Sequence, residues 1–205
     1  MNVKNQFEQL CVSLTTDENL ISTLWKEIEK KYTEKSRHYH VLTHLENMLL
    51  ELESVQDKIS DCTAVSFSVF YHDIIYDATS KSNEEKSAAV AKTRLARLGL
   101  HQDKISLISD QIIATKAHLK SEHTDTNYLL DADLSVLGKD LGTYLDYTQK
   151  IRKEYSIYPN ILYNPGRKKV LRHFLELESI FKTDYFKEKY EMQARDNISH
   201  EIGLL

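Results

Sequence analysis

A chain of 205 residues with 41% hydrophobic and 28% charged side chains has the make-up of a globular protein, not of a disordered one. Its 27 Lys and Arg against 31 Asp and Glu give a net charge of −4, which argues against a general nucleic-acid binder with a basic face. Cys11 and Cys62 form no CxxC pair and no disulfide framework, MNVKNQFEQL has no basic-then-apolar leader, and no apolar run approaches about eighteen residues. The expectation is a cytoplasmic protein, kept reduced, that engages neither nucleic acid nor membrane.

Breakers are scarce. Gly is 5 and Pro is 2, and all of them lie at or after Gly99. A β-rich chain needs many more turn residues, so the expected class is all-α. In chain order, Asp17 caps a helix over 17–32 with Leu20, Leu24, Trp25 and Ile28 on one face. Ser36 caps a helix over 37–55, whose Val41, Leu45, Met48, Leu52 and Val55 form a helical stripe. The segment 63–76, TAVSFSVFYHDIIY, has no polar face and reads as a central buried helix. Helices over 83–98, 103–118 and 125–137 follow, the first closed by Gly99 and the last by Gly138. Three more cover 140–155, 165–181 and 184–201, with Asn164 and Pro165 opening the middle one. Short connections imply one multi-helix bundle over residues 1–205, with a core part at about 36–138 and the helices of 139–205 packing on it.

The central helix carries an anomaly. His72-Asp73 lies in a segment that is otherwise apolar, and burying both groups costs several kcal/mol unless something pairs with them. Upstream, His40 and His44 stand one helical turn apart in RHYHVLTH. Downstream, Asp131 and Asp133 lie inside the apolar run LLDADL. Three inward-leaning segments thus each deliver His or Asp, and imidazole nitrogen with carboxylate oxygen is a ligand set for a first-row metal with open positions.

The order His44, His72-Asp73, Asp133, with separations of 28 and 60 residues, resembles the HD-domain superfamily of metal-dependent phosphohydrolases. The strings RHYHVLTH, FYHDIIYD, NEEKSA, DADLSVLG, IRKEY and EMQARDNISHE extend the likeness along nearly the whole chain, to a subfamily of predicted phosphohydrolases. The resemblance implies an all-helical bundle with a divalent metal (Mn, Fe, Co, Ni, Mg or Zn) at its centre, held by His44, His72, Asp73 and Asp133. His40 competes with His44 as first ligand and Asp131 with Asp133 as last. It also implies hydrolysis of a phosphate ester or anhydride of a small molecule, a nucleotide being one candidate, with a homodimer admissible.

Around those ligands, Asp77 resembles the acidic residue that follows the doublet in nucleotide-cleaving relatives, and it reads equally as a helix-end cap. Glu84 stands where dinuclear relatives place a His, with Glu85 as the other candidate on that turn. His118 completes the candidate catalytic set. Arg37, His40, Lys116, Arg152 and Arg167 are the candidates for binding phosphate and its surroundings. Tyr39, Tyr71 and Tyr76 flank the ligands in sequence, whereas His38, His101, His123, His173 and His200 read as surface or core-edge histidines. Two other functions fit the same residues: a di-iron oxygenase of HD type, and a non-catalytic protein that binds a metal or a nucleotide.

Overall fold

The computed structural model describes residues 2–205, and these are all-helical, with no strand among them. Asn2 caps α1 (Val3–Val12), a helix the sequence reading does not anticipate. Its Phe7 is fully buried and lies edge-on to Phe70 at 5.1 Å, so α1 closes one end of the core. Asp17 caps α2 (Glu18–Tyr32) through the Leu20 N–H, as its sequence position suggests. The next helix, α3 (Leu42–Glu53), begins five residues later than the expected helix over 37–55.

The central helix α4 (Cys62–Tyr71) is buried over most of its length, with Ala64, Val65, Phe67, Val69, Phe70 and Tyr71 all in the core and only Cys62 exposed. Asp61 caps it through the Ala64 N–H, and Asp125 fixes its approach by accepting the N–H groups of Ser60 and Asp61. Helices α3, α5 (Asn83–Arg97), α6 (Gln102–Ala114) and α7 (Thr124–Leu134) surround it. The sequence reading carries this helix to residue 76, but it stops at Tyr71. The reason lies elsewhere in the chain. The buried guanidinium of Arg37 donates to the carbonyls of Asp73 (2.7 Å) and Ile74 (3.0 Å). Ser87 then takes both backbone groups of Ile75. The backbone of 73–75 is therefore bonded to other segments in place of a helical ladder.

Helix α5 ends as expected on Gly99, whose φ of +82° is the left-handed turn that favours glycine. A short 3-10 turn, Ser135–Gly138, follows α7 and receives α10 (Asp184–Leu204). Gly138 is required there, because a Cβ at that position would collide with the Tyr190 backbone. Between them lie α8 (Leu141–Glu154) and α9 (Asn160–Glu176). The latter starts five residues before Pro165, which sits inside the helix and not at its first position.

Candidate metal centre

His44 on α3, His72 at the end of α4 and Asp133 near the end of α7 meet at one buried point. One ligand atom from each lies within 4.8 Å of the others, so the trio could hold a metal ion. The Nε2 atoms of His44 and His72 are 3.3 Å apart, and His44 Nε2 is 3.2 Å from Asp133 Oδ1. Asp73 Oδ2 lies 3.1 Å from His72 Nε2. His72 Nδ1 lies 2.8 Å from the Val69 carbonyl, an oxygen that can only accept. That bond places a proton on Nδ1, which fixes the ring and aims Nε2 at the cluster.

The electrostatics suit a cation. Burial, helped by the neighbouring imidazoles, holds His44 below its ordinary pKa despite its bond to Asp133, so its nitrogen is neutral at pH 7. Burial opposes the charge on His72 too, but the Asp73 carboxylate outweighs it and raises the pKa to about 9. Burial also works against ionisation of Asp73 and Asp133, yet the surrounding imidazoles keep both below the usual carboxylate range. Two converging ring nitrogens with the Asp133 carboxylate form a donor set of a kind that can hold a metal ion, and Asp73 stands beside it. On His72 such an ion competes with a proton for Nε2.

Asp131 takes no part. Two residues along a helix point to nearly opposite sides, so with Asp133 at the cluster, Asp131 faces away. Its oxygens accept the N–H groups of Lys182 (2.7 Å) and Thr183 (2.8 Å) and the Thr183 hydroxyl. His40 also stands apart from the ligand trio. It lies before α3 in irregular chain, so the one-turn spacing to His44 does not apply. Its ring stacks on Tyr76 at 4.2 Å, and its Nε2 is 3.8 Å from Asp73 Oδ2.

The cluster opens into a cavity of about 1040 Å³, which His40, Asp73, His118 and Asp133 line at the metal end. His118 belongs to the loop after α6 and not to a helix end. It adopts φ of 49°, rare for a non-glycine residue, and its Nε2 reaches Asp133 Oδ2 at 2.9 Å. Tyr39, Tyr76 and Glu84 line the cavity, whereas Tyr71 is core. Asp77 does not face it. Because α4 stops early, Asp77 lies in exposed chain and accepts from the Thr79 N–H and hydroxyl.

Of the five residues named for phosphate, the three arginines and Lys116 are all engaged. Arg37 is buried against the 73–74 carbonyls. Lys116, at the cavity edge, pairs with Glu85 and the Lys81 carbonyl. Arg152 bonds Asn160 and the carbonyls of Tyr155 and Tyr158. Arg167 lines the cavity but is held by both oxygens of Glu201, at 2.7 and 3.0 Å.

Glu154 is the residue the sequence reading missed. Its Oε1 accepts the N–H groups of His38, Tyr39 and His40 at 2.7 to 3.0 Å. Its Oε2 holds His40 Nδ1 at 2.7 Å and the Tyr76 hydroxyl at 2.9 Å. Burial opposes its charge, but these bonds bring its pKa down to about 2. The available signal was a Glu next to Tyr155 on the apolar stripe Tyr147-Ile151-Tyr155 of α8, where burial needs a partner. His173, read as a surface residue, lies on the cavity rim. Compared with family models, curated proteins and solved structures, the chain matches none.

Proposed function

We propose that the chain is a metal-dependent phosphohydrolase that cleaves a phosphate ester or anhydride of a small molecule. The observation that carries this is the convergence of His44, His72 and Asp133 beside a large cavity that Asp133 lines. The sequence resemblance to the HD-domain superfamily points the same way. His44, His72, Asp73 and Asp133 would hold a divalent ion, which supplies Lewis-acid activation of water and of a phosphoryl oxygen.

The chain's own residues do the rest. With its arginines and Lys116 engaged, a ring N–H left to meet a phosphoryl group at the metal end is that of His40. Burial lowers its pKa, but Asp73 and the Glu154 bond together raise it above the ordinary imidazole value. Because Glu154 occupies Nδ1, the other ring nitrogen faces the cavity and donates to a phosphoryl oxygen. Glu84 forms no hydrogen bond or ion pair among the described residues and serves as the carboxylate that takes a proton from water. His118 gives a proton to the departing oxygen as the phosphorus–oxygen bond breaks.

The test is phosphate release from a panel of phosphate esters by the full chain with Mn²⁺, Co²⁺, Ni²⁺, Mg²⁺ or Fe²⁺. Turnover with at least one ion, abolished by His72→Ala, is expected. Bound metal without phosphate release under any ion would overturn the reading in favour of a binding protein. Two irons per chain without hydrolysis would favour an oxygenase.

A further inference from the structure

The cavity is far larger than a metal and a phosphoryl group require, and its other half has a different character. From one side α8 and its closing residue present Tyr147, Ile151 and Tyr155 at four-residue intervals. From the other, α9 presents Leu162, Gly166, Val170 and Phe174, again four apart. Such stripes are what a helix ordinarily buries against a neighbour. Here the α9 stripe lines open space, while on the α8 side Ile151 is buried and Tyr147 packs edge-on to Tyr39 at 4.7 Å, so that α8 forms a settled wall. Of the 17 residues of α9 only Tyr163 and Leu171 are buried, and Leu162 and Val170 remain 62% and 47% exposed.

This half offers aromatic surface and no free positive charge in its interior. Arg167 is paired with Glu201 and lies 5.4 Å from the Tyr147 ring centre. Arg152 sits over the Tyr163 ring at 4.6 Å while bonding carbonyls. Lys169 and His173 are exposed, at the rim. A second anionic group meets only the exposed Lys169 and His173, whereas a flat apolar ring finds tyrosine and aliphatic walls on two sides.

We propose that the α8–α9 half of the cavity is a binding subsite for a flat, uncharged aromatic body of the substrate. With the phosphoryl end at the histidines, the site then selects aromatic phosphoryl compounds over compact polar ones. The selectivity rests on the phosphohydrolase reading; the subsite itself does not.

Gly166 supplies the test. A Cβ built there meets nothing within 4 Å and Gly166 lines the cavity, so this position admits a larger side chain, and tryptophan is chosen to occupy the subsite. Calorimetry on the Mn²⁺-equilibrated chain would compare methylphosphonate with 1-naphthylphosphonate, neither of which can be hydrolysed. The naphthyl compound is expected to bind at least about tenfold tighter. Gly166→Trp is expected to abolish that advantage and leave methylphosphonate unchanged. Equal affinity of the two compounds for the wild-type chain would overturn the subsite and spare the phosphoryl reading. In parallel, fluorescence anisotropy of 2-naphthol, without metal, reads the subsite alone. Binding to wild type that Gly166→Trp removes, with no phosphonate bound, would leave the subsite standing and sink the phosphoryl reading. No naphthol binding to wild type would overturn the subsite.

Discussion

Glu154 is an isolated carboxylate from the last turn of α8, yet it organises the irregular chain that carries His40. It gathers three backbone N–H groups, one imidazole and one phenol. Its folded pKa of about 2 lies below the ordinary value of 4.5, so folding favours the ionised form. The sign follows from linkage: the stabilisation is fully present above about pH 4.5 and is lost as the pH falls toward 2. At one to two kcal/mol per unit the shift is worth about 3 kcal/mol, an order-of-magnitude figure. Glu154→Gln is therefore expected to be less stable than wild type at pH 7 by a few kcal/mol, with the gap narrowing between pH 4.5 and 2. Urea unfolding across that range checks it, and a pH-independent gap would contradict the assignment. The Glu was visible in IRKEY, but its role was not. Its partners lie 78 to 116 residues away, beyond the reach of periodicity.

At the scale of elements, what was legible was local. The Asp17 cap, the Gly99 turn, the α2 stripe and the apolar α4 all follow from residues within a turn or two of one another. The ends of α3 and α4 were misjudged because tertiary bonds set them. Glu154 holds the chain before α3, and Arg37 and Ser87 hold the chain after α4. Those two errors misplaced Asp77 and His40, whose assignments relied on helical spacing. The His72-Asp73 doublet stood out for a sturdier reason, since charge in an apolar segment needs a partner wherever the helix ends. Helical pattern does not rank Asp131 and Asp133, and the preference for Asp133 rests on the resemblance; the structure separates them by what each faces. Asp131 joins α7 to the start of α10 with three accepted hydrogen bonds. Asp131→Ala strands two buried N–H groups and is expected to destabilise the fold by about 3 kcal/mol while leaving metal content unchanged. Thermal unfolding beside elemental analysis checks both halves, and loss of metal with intact stability would contradict it.

Across the whole molecule, the C-terminal helices do more than pack against the helices that carry the His/Asp cluster. Helix α8 supplies Glu154, and α8 with α9 walls half of the cavity. The candidate site is thus assembled from residues spread from Tyr39 to Phe174, drawn from α3, α5, α7, α8, α9, the end of α4 and the chain between helices. The most direct measurement is metal stoichiometry of the full chain, equilibrated with Mn²⁺, freed of loose ions by gel filtration and analysed for bound metal. About one ion per chain is expected in wild type, and almost none in His44→Ala or Asp133→Ala with helical content retained, since losing one ligand commonly lowers affinity steeply. A wild-type chain that emerges without metal, or variants that keep the wild-type amount, would contradict the account.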